Sequence, residues 1–207
     1  MRVITLSILI VLVDQISKFA VKGISIPFIG VELAGSAYGS STPILGDFLR
    51  LTYIENPGMA FGIDLGGKLF FSLFSIAASA GILFYLVRAK DENILFRMAL
   101  ALILGGAVGN LVDRVFYGVF YNEGPLFYGR VVDFIDVDFF NISLFGYALH
   151  RWPVFNIADA SVTCGVFLML FAHRKPAGMT SAAGETPQVA AAPRPQHTRS
   201  NPDLPAQ

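Results

Sequence analysis

The amino-acid sequence predicts an α-helical integral membrane protein with four transmembrane helices and a small extracytoplasmic β platform. Of the 207 residues, 54% are hydrophobic and 14% are charged, whereas a soluble globular domain carries about 25% charged residues. A hydrocarbon core of about 30 Å requires about 20 consecutive apolar helical residues. Four stretches reach that length, at about residues 3–21, 69–87, 95–115 and 154–172.

The first apolar stretch follows a basic residue, as a cleaved signal peptide would. Asp14, Gln15 and Lys18 interrupt it, however, and no convincing small-x-small cleavage site follows. We therefore expect a retained helix.

The placement of Lys and Arg predicts the orientation of the spans. Basic residues lie before the first span, between the second and third, and after the fourth: Arg2, Arg88, Lys90, Arg97, Arg174 and Lys175. Because Lys and Arg accumulate on the cytoplasmic side, both termini are expected there. The connections at about 22–68 and 116–153 would then face outward.

The first outer connection carries a strand signal. Residues 48–56, FLRLTYIEN, alternate and are rich in residues that favour strands, and Asn56-Pro57-Gly58 is a turn signal. We expect a membrane domain over 1–175 that carries this platform. Residues 176–207 are rich in Pro and Ala and cannot bury enough surface to offset their ordering entropy, which predicts a disordered cytoplasmic tail.

Polar residues inside the spans converge on one level. Three pairs lie on one helix face each, near the outer ends of their spans: Asp14 with Lys18, Asn110 with Asp113, and Asn156 with Asp159. At about 1.5 Å of rise per residue, the pairs lie at nearly the same depth. Ionisable residues at such positions indicate a functional site. Asp133 follows in the outer connection. Asp136 and Asp138 come directly after it, and we expect these two to be solvated loop charges.

Several of these groups also have an ordinary structural explanation. Asp14 and Lys18 could form only an intrahelical ion pair, Arg114 could extend to the interface, and Asn56 could be a turn residue. Asp159 is harder to explain in this way, because it lies in an apolar helix with no basic residue near it in sequence. The shared depth of the clusters favours a site.

The residue inventory favours carboxylate chemistry. The positions of the three histidines, His150, His173 and His197, argue against a His-based metal site or triad. Cys164 is the single cysteine, so no intrachain disulfide is expected. No GxxxxGK[ST] phosphate loop occurs, and a net charge of zero argues against nucleic acid. Two Asp sharing a water can cleave an amide: one, ionised, takes a proton from water, and the other, protonated, polarises the carbonyl.

Five blocks resemble the lipoprotein signal peptidase (signal peptidase II) family. They occur in family order and span most of the chain before the tail: VDQISK at 13–18, ENPGMAFG at 55–62, GGAVGNLVDR at 105–114, GRVVDF at 129–134 and PVFNIADASVTCGV at 153–166.

This resemblance implies a membrane aspartic endopeptidase of the bacterial inner membrane, acting near the outer leaflet. It would remove the signal peptide of prolipoproteins before the diacylglyceryl-modified cysteine, without a cofactor, and would be inhibited by globomycin. Asp133 and Asp159 match the family's catalytic pair. The residues that match its supporting or substrate-contacting positions are Asp14, Lys18, Asn56, Asn110, Asp113, Arg114 and Asn156. We expect a monomer in contact with membrane lipid.

One stretch departs from the family pattern. After Gly118, the extra segment VFYNEGPLFYG (119–129) precedes Arg130-Val131-Val132-Asp133, and we expect a neutral outer loop because surface loops tolerate insertion. The insertion makes Asp113 an alternative to Asp133. We prefer Asp133, since the charge of Arg114 would hold Asp113 ionised.

Two other functions are compatible with the residues alone. One is a small transporter in which Asp14, Asp113 and Asp159 relay protons or bind cations. The other is a non-catalytic membrane assembly factor. The first predicts pH-driven flux, and the second predicts that neutral variants of the catalytic pair keep their activity.

Overall fold

The computed structural model describes residues 2–58, 67–138, 142–144, 147–149 and 151–172. The predicted tail at 176–207 and the second half of the ENPGMAFG block lie outside these residues.

Helices account for most of the described chain: α1 is Arg2–Lys22, α2 is Gly67–Arg88, α3 is Ile94–Val112 and α4 is Ile157–Phe171. α3 continues through a π-helical turn, Asp113–Tyr117, and one further turn, Gly118–Phe120. The third helical segment is therefore longer than the predicted 95–115.

Within the described residues, three helical segments are long and apolar enough to cross a membrane: Val3–Lys22, Leu69–Arg88 and Ile94–Phe120. α4 is apolar but has only 15 residues, because the chain at 154–156 is extended rather than helical. The helical, membrane-spanning character predicted from composition is confirmed. A fourth crossing stays a prediction.

The strands form three small antiparallel sheets in the described residues. β1 (Gly23–Ile26) pairs with β2 (Val31–Ala34), β3 (Ser41–Leu45), β4 (Leu49–Asn56) and β5 (Val131–Val137) form a three-stranded sheet, and β6 (Ile142–Leu144) pairs with β7 (Tyr147–Leu149). The strand predicted at 48–56 is confirmed. The platform differs from the prediction in one respect, because β5 joins it from the connection between the third and fourth helices.

α3 lies at the centre of the helices and packs against α1, α2 and α4. Close approach to α4 depends on Gly106, where an added Cβ would collide with the carbonyl oxygen of Ala158 and would lie 2.6 Å from Cγ2 of Val162. Gly165 on α4 approaches Ala99 on α3 in the same way. Small residues at helix contacts let backbones approach closely in membranes, and here they bring the polar faces of α3 and α4 together.

The inserted loop is tied to its surroundings at several points. Its backbone caps the end of the third helical segment, since the N–H of Phe127 donates to the carbonyl of Val115 and that of Gly129 to Arg114. Glu123 pairs with Lys22 at the end of α1, at 2.6 Å. The loop thus completes a helix end next to the site.

Candidate active site

The strand that carries Asp133 and the segment that leads into α4 are joined through their backbones. Phe155 accepts hydrogen bonds from the N–H groups of Phe134 and Ile135, at 3.1 and 2.7 Å, and donates to the carbonyl of Ile135 at 3.0 Å. Asp133 and Asn156, each next to one of these residues, therefore have a fixed spacing. α4 begins at this point because Asn156 is its N-cap in a reciprocal capping box with Asp159.

Two asparagine side chains connect the two predicted catalytic carboxylates. Asn156 Nδ2 donates to Asp133 Oδ1 at 2.6 Å, and Asn110 Nδ2 donates to Asp159 Oδ1 at 2.7 Å. The asparagines also bond each other, since Asn156 Nδ2 lies 3.0 Å from Asn110 Oδ1. Asp133, Asn156, Asn110 and Asp159 thus form one continuous network from β5 through α3 to α4.

The two carboxylates differ in environment. Asp133 is 3% exposed, and burial raises its pKa from 3.8 to about 7, with a further contribution from the negative charge of Asp159; the charge of Lys18 and the bond from Asn156 oppose this. Asp159 is half-buried in the first turn of α4, where the partial positive charge of the helix end favours an anion. Burial and the neighbouring charge therefore favour the protonated form of Asp133.

Lys18 lies at the centre of a second layer of charges. Its ammonium pairs with Asp14 at 2.8 Å and with Asp113 at 2.7 Å, and all three side chains are fully buried. Lys18 also donates to Asn110 Oδ1 at 3.0 Å, which links this layer to the asparagine network. The predicted Asp14–Lys18 ion pair is present, but it is part of the larger cluster. The cation that pairs with Asp113 is Lys18, whereas the sequence had drawn attention to Arg114.

The remaining two predicted site residues lie at the edge of the network. Arg114 is half-buried, its Nε has no hydrogen-bond partner among the described residues, and its charge interacts with those of Asp113, Asp133 and Asp159. Asn56 ends β4 opposite Val131 and accepts a hydrogen bond from the N–H of Gly58 at 2.9 Å. Asn56 is therefore a turn residue that lies beside the strand of Asp133.

The prediction that Asp136 is a solvated loop charge is wrong. Asp136 is buried on β5, where it accepts hydrogen bonds from Thr52 Oγ1 at 2.6 Å and from Arg151 Nε at 2.7 Å. Asp138 is half-buried and lies 3.7 Å from Arg151. Pairing with β4 and with the segment before α4 encloses these carboxylates, which the local sequence does not reveal.

Two polar residues of the cluster were not predicted as site residues. Gln15 Nε2 donates to Asp113 Oδ1 at 2.8 Å, and Gln15 Oε1 accepts from the hydroxyl of Tyr117 at 3.0 Å. Gln15 could have been predicted as a site residue, because it places a polar amide next to Asp14 inside an otherwise apolar helix. Among the described residues, no group of three or more His, Cys, Asp or Glu side chains is arranged to hold a metal ion.

Comparison with known proteins gives consistent relatives. The chain is 38% identical over 135 residues to the lipoprotein signal peptidase of Chlorobaculum tepidum, covering 65% of this chain and 76% of that one. It is 38% identical over 170 residues to the lipoprotein signal peptidase of Symbiobacterium thermophilum, covering 82% and 91%. A solved bacterial membrane enzyme at 2.3 Å resolution is similar with a TM-score of 0.60 and 31% identity, covering 83% of this chain and 86% of that one.

The long apolar helices enclose a cluster of carboxylates. Together with these relatives, this defines the class of the protein as a helical membrane protease. The family model of signal peptidase II matches residues 6–174. The chain belongs to the signal peptidase II family.

Proposed function

We propose that this protease removes signal peptides from prolipoproteins by cleaving before the diacylglyceryl-modified cysteine, with Asp133 and Asp159 as its catalytic pair. The observation that carries the proposal is the network in which Asn156 and Asn110 connect the two carboxylates from β5 to α4. The names of the relatives support the substrate class. The transporter alternative gains no support from them.

The different environments of the carboxylates suggest a division of roles. Asp159 accepts hydrogen bonds from Asn110 and from the backbone of Asn156, and we assign it the ionised role that takes a proton from the attacking water. Asp133, whose pKa is raised to about 7 by burial, holds the proton that polarises the scissile carbonyl and passes to the leaving amine. The proton that Asp159 takes from water then passes to Asp133, which restores the pair, so water is the only reactant consumed besides the substrate.

A membrane location suits this substrate. The lipid-facing sides of the helices are apolar, and exposed side chains such as Leu9 on α1, Phe74 on α2 and Phe167 on α4 match a hydrocarbon environment. The network lies near the C-terminal ends of α1 and α3. The basic residues Arg88 and Lys90 lie between α2 and α3, next to the opposite, N-terminal end of α3. We infer four spans, cytoplasmic termini and a site near the outer leaflet of the inner membrane, where a lipid-anchored cysteine would be held.

Cleavage of a lipidated precursor tests the proposal directly. We expect Asp133→Asn and Asp159→Asn each to abolish processing of a diacylglyceryl-modified prolipoprotein by the purified, membrane-reconstituted protein. Asp138→Asn is the matched control, because this carboxylate lies at the end of the same strand but contacts Arg151 rather than the network. We also expect globomycin to inhibit the unaltered protein. Normal processing by either of the first two variants would contradict the assignment of the pair.

A further inference from the structure

Two buried carboxylates contact the backbone immediately before each member of the proposed pair. Asp14 Oδ1 accepts the N–H of Ala158 at 2.9 Å, one residue before Asp159. Asp113 Oδ2 accepts the N–H of Val132 at 3.2 Å, one residue before Asp133. The positions of Asp14 and Asp113 therefore determine where both segments lie.

One side-chain amide joins these two carboxylates. Gln15 Nε2 lies 2.8 Å from Asp113 Oδ1, 3.2 Å from Asp14 Oδ2 and 3.1 Å from the carbonyl oxygen of Gly109. Gln15 Oε1 accepts the hydroxyl proton of Tyr117, which fixes the direction in which the amide points. The amide thus contacts both carboxylates while it adds no charge to a cluster with a single central ammonium.

The π-helical turn explains how α3 supplies both partners of this amide. Asp113 begins the turn and Tyr117 ends it, and both side chains are buried. Single π-helical turns within helices are rare and occur frequently at functional sites. Here the turn directs a carboxylate and a hydroxyl toward opposite ends of the same amide on α1.

We propose that Gln15 is a positioning residue for the reaction, acting through Asp14 and Asp113 on the backbone that carries the catalytic pair; this rests on the proposed function. An amide is suited to the role because its nitrogen donates while its oxygen accepts. A side chain that only donates, only accepts or does neither cannot make the same set of contacts.

Steady-state kinetics with the full-length reconstituted protein and a lipidated precursor peptide test the proposal. We expect Gln15→Leu to lower kcat by about 10- to 100-fold with little change in KM, because small displacements of catalytic groups are costly. Tyr117→Phe removes only the hydroxyl and should give a smaller loss, also in kcat. Ser17→Ala is the matched control, since the Ser17 hydroxyl on the same helix bonds the carbonyl of Asp14 and, among the described residues, no side chain of the cluster.

The pH profile of Gln15→Glu separates positioning from a purely structural role. At a pH low enough to protonate the introduced carboxyl, its O–H can donate to Asp113 and its oxygen can accept from Tyr117, so activity should approach that of the parent. As the pH rises and this carboxyl ionises, it repels its neighbours and kcat should fall relative to the parent. Asp14, Asp113 and Tyr117 contact Gln15 directly. Lys18 pairs with the two carboxylates, and the charges of Arg114, Asp133 and Asp159 interact with this group from further away.

Each outcome decides the question. A parent-like kcat for folded Gln15→Leu, or a Gln15→Glu profile parallel to that of the parent, would overturn the proposal; the second measurement stands even where the Leu variant does not fold. Asp133→Asn and Asp159→Asn are assayed in parallel. If the parent does not process the precursor, the proposed function fails. If these two variants process it, the assignment of the catalytic pair fails. If the parent is active, both variants are inactive and Gln15→Leu is normal, only the role of Gln15 fails.

Discussion

Replacing Asp133 by Asn should stabilise the folded protein while it removes activity. Asp133 is 3% exposed and its pKa rises from 3.8 to about 7 on folding, chiefly through burial. Since one pKa unit corresponds to about 1.4 kcal/mol, keeping this carboxylate ionised in the fold costs about 4 kcal/mol. Asn has nearly the same shape, and its carbonyl oxygen can still accept the hydrogen bond from Asn156.

The stabilisation should depend on pH in a defined direction. Below about pH 4 the carboxyl is protonated in both folded and unfolded protein, so the variant and the parent should be similarly stable. Between about pH 4 and 7 the unfolded chain binds fewer protons at this site than the fold does, so the parent loses stability as the pH rises. Above that window the advantage of Asp133→Asn should be constant, at about 4 kcal/mol.

Unfolding in detergent at pH 4, 6 and 8 measures this difference. The backbone N–H of the single tryptophan, Trp152, donates to the carbonyl of Val137 on β5 at 3.0 Å, so its fluorescence reports on the strand that carries Asp133. Asp138→Asn controls for the loss of one negative charge. A variant no more stable than the parent at pH 8, or equally stabilised at every pH, would refute the burial argument.

Two further substitutions test the packing around the site. Lys18→Met leaves two fully buried carboxylates without their shared cation and should lower the free energy of unfolding by about 3–5 kcal/mol. Thermal unfolding measures this loss, with Lys90→Met as a control at an exposed lysine. An unchanged unfolding temperature for Lys18→Met would contradict the prediction. Gly106→Ala adds a methyl group that collides with the carbonyl of Ala158 and should cost about 1–3 kcal/mol, whereas Gly81→Ala, with open space at its Cβ, should be neutral or stabilising in the same assay.

The helices were predictable because the hydrocarbon core imposes a length and a composition on them. The start of α4 was predicted three residues too early, since 154–156 is apolar enough for a span but extends along β5 instead. The π-helical turn at Asp113–Tyr117 has no signal of its own in the sequence. Such features depend on contacts between segments that are distant in the chain.

The site was predictable where residues share a helix face, and less so where strands contribute. The depth argument groups Lys18, Asn110 and Asp159, which the structure brings into one network. Asp133 could be predicted only through the family block, because β5 pairs with β4, which comes from a distant connection between other helices. Asp136 was misjudged for the same reason: its partners Thr52 and Arg151 come from other segments.

The Asp14–Lys18 ion pair has a consequence for the synthesis of the protein. α1 is synthesised before α4, yet Asp14 accepts the N–H of Ala158, which lies 144 residues further along the chain, so this partner of Asp14 is made late. An isolated charge is costly in the hydrocarbon interior, and a cation four residues away on the same helix compensates it without help from any other segment. α1 can therefore insert with its charges paired, and the proposed catalytic pair is complete only after α4 has been synthesised.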